Sequence, residues 1–564
     1  MSLLSSIQLA GNSLQAAQVG LQVAGQNISN ADTPGYIREV VNYSPAPGQR
    51  IGGLVEGMGV EVSGISQQVN TFIQQELRNA NSGAAGTAVQ QQTYQQLEGL
   101  MNELGDTGIN TDLTNFFSSI NNVLNDPSDV STLNLAVLQG QTLTGDINQL
   151  AEQVQQSRQD IDTQVSSSAS DINSLVDQIA TLNVQIANTT GGSPNNAAVG
   201  LTDQQDQALD SLSNLIGIKV QTQPDGEVNV YAGGDYLVFN GETHHVDVTQ
   251  STDRGTTVST LTMADSNAPL ALGNGQVAGL VASRDTILGG FLDQLNSFAG
   301  TLANEFNKVY ASGQGLSGYQ TVTSERGVDD PNQPLDDTGL AFTPVNGSFQ
   351  IQVYNAKTGL TQTSNINVVL NGLDGDSTLQ DVANQLNQVS GVAASINSQG
   401  QLTIQATGSD QQIAFGQDSS GFLAAMGINT FFSGTNAFDI GVSQDVVNDP
   451  SKFAASQGGV GQDTNNAVQL AGFLNTPLAS QNGDSISDLH SNLVNEVSQS
   501  ASVAIANATG ASTLQASLVS QNSAVSGVSI DEETINMLEY QKTYEASAKY
   551  ISVLSGLIDT LVNL

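Results

Sequence analysis

Apolar or small residues recur at alternating steps of four and three from the start of the chain: Leu3, Ile7, Ala10, Leu14, Ala17, Leu21, Ala24 and Ile28. The same rhythm closes it, through Met537, Tyr540, Tyr544, Ser547, Ile551, Leu554, Ile558 and Leu561, with Ser547 the single polar break. This is a heptad seam, the spacing that lets two helices wind around each other. Seams at both ends, with unlike residues between, predict that the ends meet. Leu3, Ile7, Leu14, Leu21 and Ile28, with Met537, Tyr540, Tyr544, Ile551, Leu554, Ile558 and Leu561, are the candidate assembly interface. Each helix should be about 40 Å long at ~1.5 Å per residue. Seam burial worth roughly 1–2 kcal/mol per position meets an ordering cost of about 1–2 kcal/mol per residue. Either helix alone is therefore marginal, and both ends are expected to order on assembly.

The first helix is predicted to stop near Asn30, ahead of Thr33-Pro34-Gly35-Tyr36, where Pro then Gly suit a type II turn. Residues 36–65 read as loop and short strands, and residues 66–126 as helices broken at Gly83, Gly86, Gly105 and Gly108. A long helix runs from about Leu133 to Ala187, with Arg158 and Ser168 as misfits on its seam, and stops at Thr189-Thr190-Gly191-Gly192-Ser193-Pro194. A short helix near 203–216 precedes β-prone runs split by Pro224-Asp225-Gly226, Gly233-Gly234 and Asn240-Gly241, the last a hairpin signal. Helix returns at 277–311, with Leu288, Phe291, Leu295, Phe298, Leu302, Phe306 and Val309 on one face. An acidic loop (Ser312–Pro344) leads to strands Ser348–Tyr354 and Asn365–Leu370, helix Thr378–Gln388, and strands Val392–Ile396 and Gln401–Gln405. Residues 451–525 read as helical and polar.

The fold class is multidomain α plus β: terminal helices pair as a coiled coil and helical bundle, with β-rich and α+β domains inserted between them. The expected parts are a terminal assembly domain (1–35 with 527–564), a helical domain (36–194 with 279–315 and 451–526), a β-rich insert (195–278) and an outer α+β insert (316–450).

Charge narrows the partners. Against 53 acidic residues stand 13 basic ones, a formal charge of -40. A phosphate backbone needs a basic surface, so nucleic acid is excluded as a partner. The same charge opposes close packing of identical copies, so self-association must draw on apolar seams. No run is long and apolar enough to span a bilayer, so membrane insertion is not expected. Residues 1–37 hold neither a basic head nor a continuous apolar stretch, so export would use no cleaved signal peptide. Cysteine is absent, which removes disulfides and thiolate chemistry.

Enzymatic constellations are weak. His244 and His245 are adjacent and lack further ligands. Ser485, Asp488 and His490 share one short segment and read as a helix start, since a triad needs its members aligned. Gly273-Asn274-Gly275-Gln276-Val277-Ala278 lacks the strand and βαβ unit of a dinucleotide loop and reads as a helix opening. Asp329, Asp330, Asp336 and Asp337 fit no known calcium loop. No catalytic residue, cofactor or metal is expected, and the chain is read as not an enzyme.

Ala24-Gly25-Gln26-Asn27-Ile28-Ser29-Asn30-Ala31-Asp32-Thr33-Pro34-Gly35-Tyr36 resembles the N-terminal signature of bacterial flagellar rod, hook and hook-associated axial proteins. Asn27, Ser29, Asn30, Thr33, Pro34, Gly35 and Tyr36 carry it, while Asp32 and Glu39 stand where Asn and Gln are expected. Ser526–Glu533 and Tyr540–Ile551 are similar to the C-terminal signature, and Asp531, Glu532 and Glu533 with Tyr540 and Gln541 favour the hook-associated branch over hook protein. The resemblance implies a ring or helical assembly of copies between hook and filament. Its neighbours would be hook protein and the second hook–filament junction protein. It also implies export through the flagellar type III apparatus, a cytoplasmic chaperone on the C-terminal helix, and an extracellular location. The competing readings are hook protein itself, a secreted adhesin or surface-layer protein, and a secreted carbohydrate-active enzyme. Matching terminal heptads argue against an adhesin, and the absence of Trp with 5% aromatics leaves few sugar-stacking platforms.

Overall fold

A computed structural model describes residues 3–51, 54–101, 108–191, 198–373 and 375–563. Along the chain the elements are α1 (Leu3–Ser29), β1 (Glu39–Pro45), β2 (Gln49–Ile51), β3 (Leu54–Glu56), β4 (Val60–Gln67), α2 (Thr71–Met101), α3 (Ile109–Asn125), α4 (Val130–Thr190) and α5 (Val199–Leu215). Then come β5 (Ile218–Thr222), β6 (Val228–Ala232), β7 (Asp235–Phe239), β8 (Glu242–Thr243), β9 (Val246–Asp253), β10 (Thr256–Met263) and α6 (Gln276–Ala282). A π-helical turn, Ser283–Leu288, joins α6 to α7 (Gly289–Tyr310). The remainder is β11 (Thr321–Thr323), β12 (Gly347–Asn355), β13 (Thr361–Val368), α8 (Leu379–Leu386), β14 (Val392–Ile396), β15 (Leu402–Ala406), β16 (Gln411–Gly416), α9 (Phe422–Met426), β17 (Phe432–Ser433), β18 (Gly441–Val442), α10 (Gln444–Asn448), α11 (Asn465–Gly472), α12 (Ile486–Ser526) and α13 (Ile530–Val562).

The chain divides into two compact units, Met1–Gln92 with Gln159–Arg284 and Ser502–Leu564, and Thr93–Arg158 with Asp285–Ala501.

In the first unit α13 lies along α1. β1 pairs antiparallel with β4 through a bulge at Asn42/Tyr43, and β5-β6-β7-β8 form one antiparallel sheet beside the β9–β10 hairpin. The Asn240-Gly241 turn closes β7 onto β8 with both residues at positive φ (51° and 76°), as a type I′ turn requires. Carboxamides and one carboxylate on α4 fasten the β-rich part. Asn183 exchanges two hydrogen bonds with the backbone of Val228 (2.8 and 2.9 Å), and Asn173 does the same with Val246 (2.8 Å each). Asp162 accepts from the N–H and hydroxyl of Ser259 (2.7 and 2.9 Å) and from Arg284.

Two expectations need correction here, the helix breaks at Gly83 and Gly86 and the unbroken helix over 277–311. Gly83 and Gly86 do not break a helix, because α2 runs through both. A Cβ on Gly86 would stand 2.8 Å from the carbonyl oxygen of Gly275, and one on Gly279 2.5 Å from that of Gly86, so these glycines let two backbones touch. Gly105 and Gly192-Ser193-Pro194 lie outside the described residues. Ser168 is a buried position of the α4 seam, bonded back to the Gln164 carbonyl. The 277–311 helix is interrupted by the π turn.

In the second unit an aromatic cluster fills the core. Phe306 stands 5.1–6.1 Å, ring to ring, from Phe116, Phe117, Tyr310, Phe431, Phe432 and Phe473. Asn307 holds this place by accepting from the N–H groups of Phe431 and Phe432 and donating to the Phe432 carbonyl. Arg158 is buried, its guanidinium donating to Gln155. The α+β part consists of two three-stranded sheets, β13-β12-β16 and β11-β15-β14. β11 and β16 escaped the sequence reading, β11 because it is three residues inside an acidic loop. Residues 451–485 hold only short helical turns before α12 begins. Among the described residues no helix is long and apolar enough to cross a membrane.

Candidate assembly interface

The N-terminal signature is a turn that returns the chain from α1 to β1. Asn27 is buried and its carboxamide donates to the Glu39 carbonyl (2.9 Å) and accepts from the Glu39 N–H (3.0 Å). The Tyr36 hydroxyl donates to the same Asn27 oxygen (2.8 Å). Burial first, then the carboxylates of Glu39, Asp203 and Glu533, push the Tyr36 hydroxyl well above its ordinary range. Ser29 and Asn30 bond back to the last α1 carbonyls, and Thr33 donates to Asn30. Gly35 sits at φ 76° with the Tyr36 N–H bonded to Thr33, the geometry of a type II turn. A side chain there would also strike Gln207 of α5, which donates to the Pro34 carbonyl (3.3 Å). α5 is in turn clamped to α2 by buried Arg78, which reaches Asp206 (2.7 Å) and Asp210 (3.0 Å).

The C-terminal signature opens α13. Ser529 caps the helix, accepting from the Glu532 N–H, so Asp531, Glu532 and Glu533 occupy the first turn, where the helix dipole favours negative charge. Arg38 leaves the end of the N-terminal turn and meets them. Its Nε and Nη2 lie 2.8 and 2.7 Å from Glu533 Oε1, and its Nη1 lies 3.1 Å from Glu532 Oε2. The Arg38 N–H also donates to the Ser526 carbonyl at the end of α12 (2.9 Å). The two signatures, written at opposite ends of the chain, are one site.

Along the terminal helices the closest approach uses small residues. Ala10, Ala16, Ala17, Gly20, Val23 and Ala24 are buried on α1, whereas Leu3, Ile7, Leu14, Leu21 and Ile28 are half-buried beside them. A Cβ on Gly20 would stand 2.8 Å from the Tyr540 ring. Burial and a hydrogen bond with Tyr540 raise the Tyr43 hydroxyl above its ordinary range. On α13, Leu554 is buried; Met537, Tyr540, Ile551 and Ile558 are half-buried; Tyr544 and Leu561 are exposed. Ile535, Leu538, Val553 and Leu557 are also exposed, on the side of α13 turned away from that stripe. Gln541 is exposed and donates to Glu545.

Comparison with known proteins finds flagellar proteins in three segments and over the whole length. Residues 94–324 match the family model described as flagellar hook-associated protein FlgK helical domain, residues 349–408 the flagellin hook IN motif, and residues 519–564 the flagellar basal body rod FlgEFG protein C-terminal. Flagellar hook-associated protein 1 of Salmonella typhimurium is 24% identical over 99% of this chain and 100% of its own length. From end to end the chain is similar to flagellar hook-associated protein 1. The relatives of the same name from Escherichia coli (25% identical; 99% of this chain, 100% of its own) and Bacillus subtilis (24%; 99% and 97%) are similar over the same extent.

The other candidates have structural employment. Ser485 and Asp488 form a reciprocal cap at the start of α12, with the Ser485 hydroxyl donating to Asp488 (2.7 Å) and the Asp488 N–H to Ser485 (3.2 Å). His490 is buried against the Phe298 ring, 5.9 Å away. His244 and His245 face different carboxylates, Asp265 at 2.6 Å and Asp177 at 2.8 Å. Gly275 opens α6 at φ 116°. Asp330 accepts from the Asn332 N–H in a local turn. Sequence reading missed Arg38, Gly20 and the Arg78 clamp. Arg38 was within reach of it: the first basic residue of a very acidic chain lies just after one signature, and the other signature carries three consecutive acids.

Proposed function

We propose that the chain is a structural subunit of the bacterial flagellum that forms the junction ring between hook and filament and gives the filament its surface to grow from. The observation that carries this reading is the Arg38 brace, which makes both terminal signatures a single unit. The names of the full-length relatives support the hook-associated role. In this reading α1 and α13 form a two-stranded coiled coil that becomes rigid among neighbouring copies, and Leu3, Ile7, Leu14, Leu21 and Ile28 contribute to it with the α13 seam. The apolar stripe that α1 leaves uncovered, Ile535 to Leu557, supports packing against further helices. The neighbours are further copies, hook protein and the second junction protein. Before export through the type III apparatus, a cytoplasmic chaperone covers α13. The inserted β-rich and α+β parts face solvent outside the cell.

Deletion of the gene and electron microscopy of the cells test this. Bare hooks, with filament subunits lost to the medium, are the expected result; intact filaments overturn it.

A further inference from the structure

The sheet β5-β6-β7-β8 has an open edge. Among the described residues β5 pairs with no strand but β6. On the other side a single side chain stands in for a neighbouring strand: Gln75 of α2 donates to the Ile218 carbonyl (3.1 Å) and accepts from the Val220 N–H (3.2 Å). Beyond it lies a groove of about 680 Å³ between α2 and β5, reached by Asn79, Tyr231 and Gly234 and by five successive residues, Gly217 to Gln221. Consecutive residues of a strand point to opposite faces, so five in a row mean that β5 offers its backbone edge. Unguarded edges of this kind are templates for an added strand.

The groove also has a charge preference. Lys219 on β5 is exposed and has no acidic partner among the described residues, although the chain holds 53 acidic residues against 13 basic ones. Its neighbours on either side, Ile218 and Val220, turn apolar side chains to the opposite face.

We propose that this groove binds an extended peptide segment of a partner protein, which displaces the Gln75 carboxamide and adds as a further strand to β5. The recognised pattern is apolar–acidic–apolar: the acidic residue lies beside Lys219, and its apolar neighbours lie on the side of Ile218 and Val220. Main-chain bonds supply affinity and the alternation supplies selectivity, as in other strand additions.

The test is fluorescence anisotropy of the full chain with a labelled Thr-Val-Glu-Val-Thr-Val peptide. Saturable binding is expected. Gln75→Ala should tighten it by freeing the edge. Lys219→Glu should weaken it roughly tenfold, and a peptide with Lys in place of Glu should recover the loss. Val220→Pro removes an N–H that points away from β6, so the sheet should survive while binding is lost; far-ultraviolet circular dichroism reports on folding. If that variant misfolds, a peptide N-methylated at its central residues, tested on the unaltered chain, should fail to bind. Absence of saturable binding, or equal binding of the N-methylated peptide, overturns the proposal.

Discussion

Arg38 and Glu533 are 495 positions apart in sequence and in direct contact, with the Glu533 side chain 4% exposed. A carboxylate so far removed from water needs its cation. Arg38→Ala leaves it unpaired and should cost about 3 kcal/mol at the joint of the chain ends. Glu532 touches the same guanidinium with its side chain 63% exposed, so Glu532→Ala should cost less than about 1 kcal/mol. Denaturant unfolding and amide exchange in the first turns of α13 measure both. Equal effects of the two substitutions would show that the brace does not depend on burial.

Gly20 faces the Tyr540 ring without room for one more carbon. In an unpacked helix Gly→Ala gains about 1 kcal/mol. Here the added Cβ falls 2.8 Å from three ring atoms, one of them the ring carbon nearest the Tyr540 backbone, so the ring cannot swing clear cheaply. Gly20→Ala should therefore loosen α13 from α1, seen as faster amide exchange across Met537–Ser547. Tyr540→Ala in the same chain should return the helix-propensity gain. A stabilising single substitution would show that the two helices sit farther apart than this.

Much of the architecture was legible because its signals are local. Heptad spacing marked both terminal helices, Asn240-Gly241 marked a hairpin, and Ser485 with Asp488 marked a cap. What was not legible depends on contacts between distant segments. Gly86 reads as a breaker until Gly279 is seen to press on it. Arg158 and Ser168 read as misfits until the burial of α4 is known. The Asn and Gln side chains gain a reason only in three dimensions. A carboxamide presents an N–H donor and a C=O acceptor side by side, so it can bond a backbone carbonyl and a backbone N–H of an extended segment together. Asn27 uses both on Glu39, Asn173 on Val246, Asn183 on Val228, Asn387 on Ala394 and Gln75 on β5. For Asn173, Asn183 and Gln75 the partner strand lies 73, 45 and 143 positions away, so composition reports the device without saying where it acts.

Asp203 supplies a pH dependence. Burial raises its carboxyl to about 6, against bonds from Ile37 and Gln67 that pull it down. The folded state therefore holds a proton that the unfolded state, at an ordinary value near 3.8, has released. Between these values stability falls as pH rises. Burial also raises Glu39, Asp206 and Asp210, which act in the same direction. Asp203→Asn removes one such group. Its stability relative to the unaltered chain should rise as pH goes from about 4 to about 6 and level off above, in denaturant melts across that range. A difference independent of pH would place Asp203 in water.

Association of copies sets apolar seams against charge. A formal charge of -40 repels like chains, while the α13 stripe at Ile535, Leu538, Val553 and Leu557 attracts them. Raising ionic strength from about 0.1 M to about 1 M shortens the screening length from roughly 10 Å to 3 Å, which weakens the repulsion and leaves apolar burial intact. Light scattering on the full chain should therefore report faster self-association at high salt. A chain lacking residues 535–564 should remain monomeric at both salt concentrations and keep the folded signal of its inserted parts. Slower association at high salt would mean that ion pairs between copies, and not the terminal seams, hold the assembly.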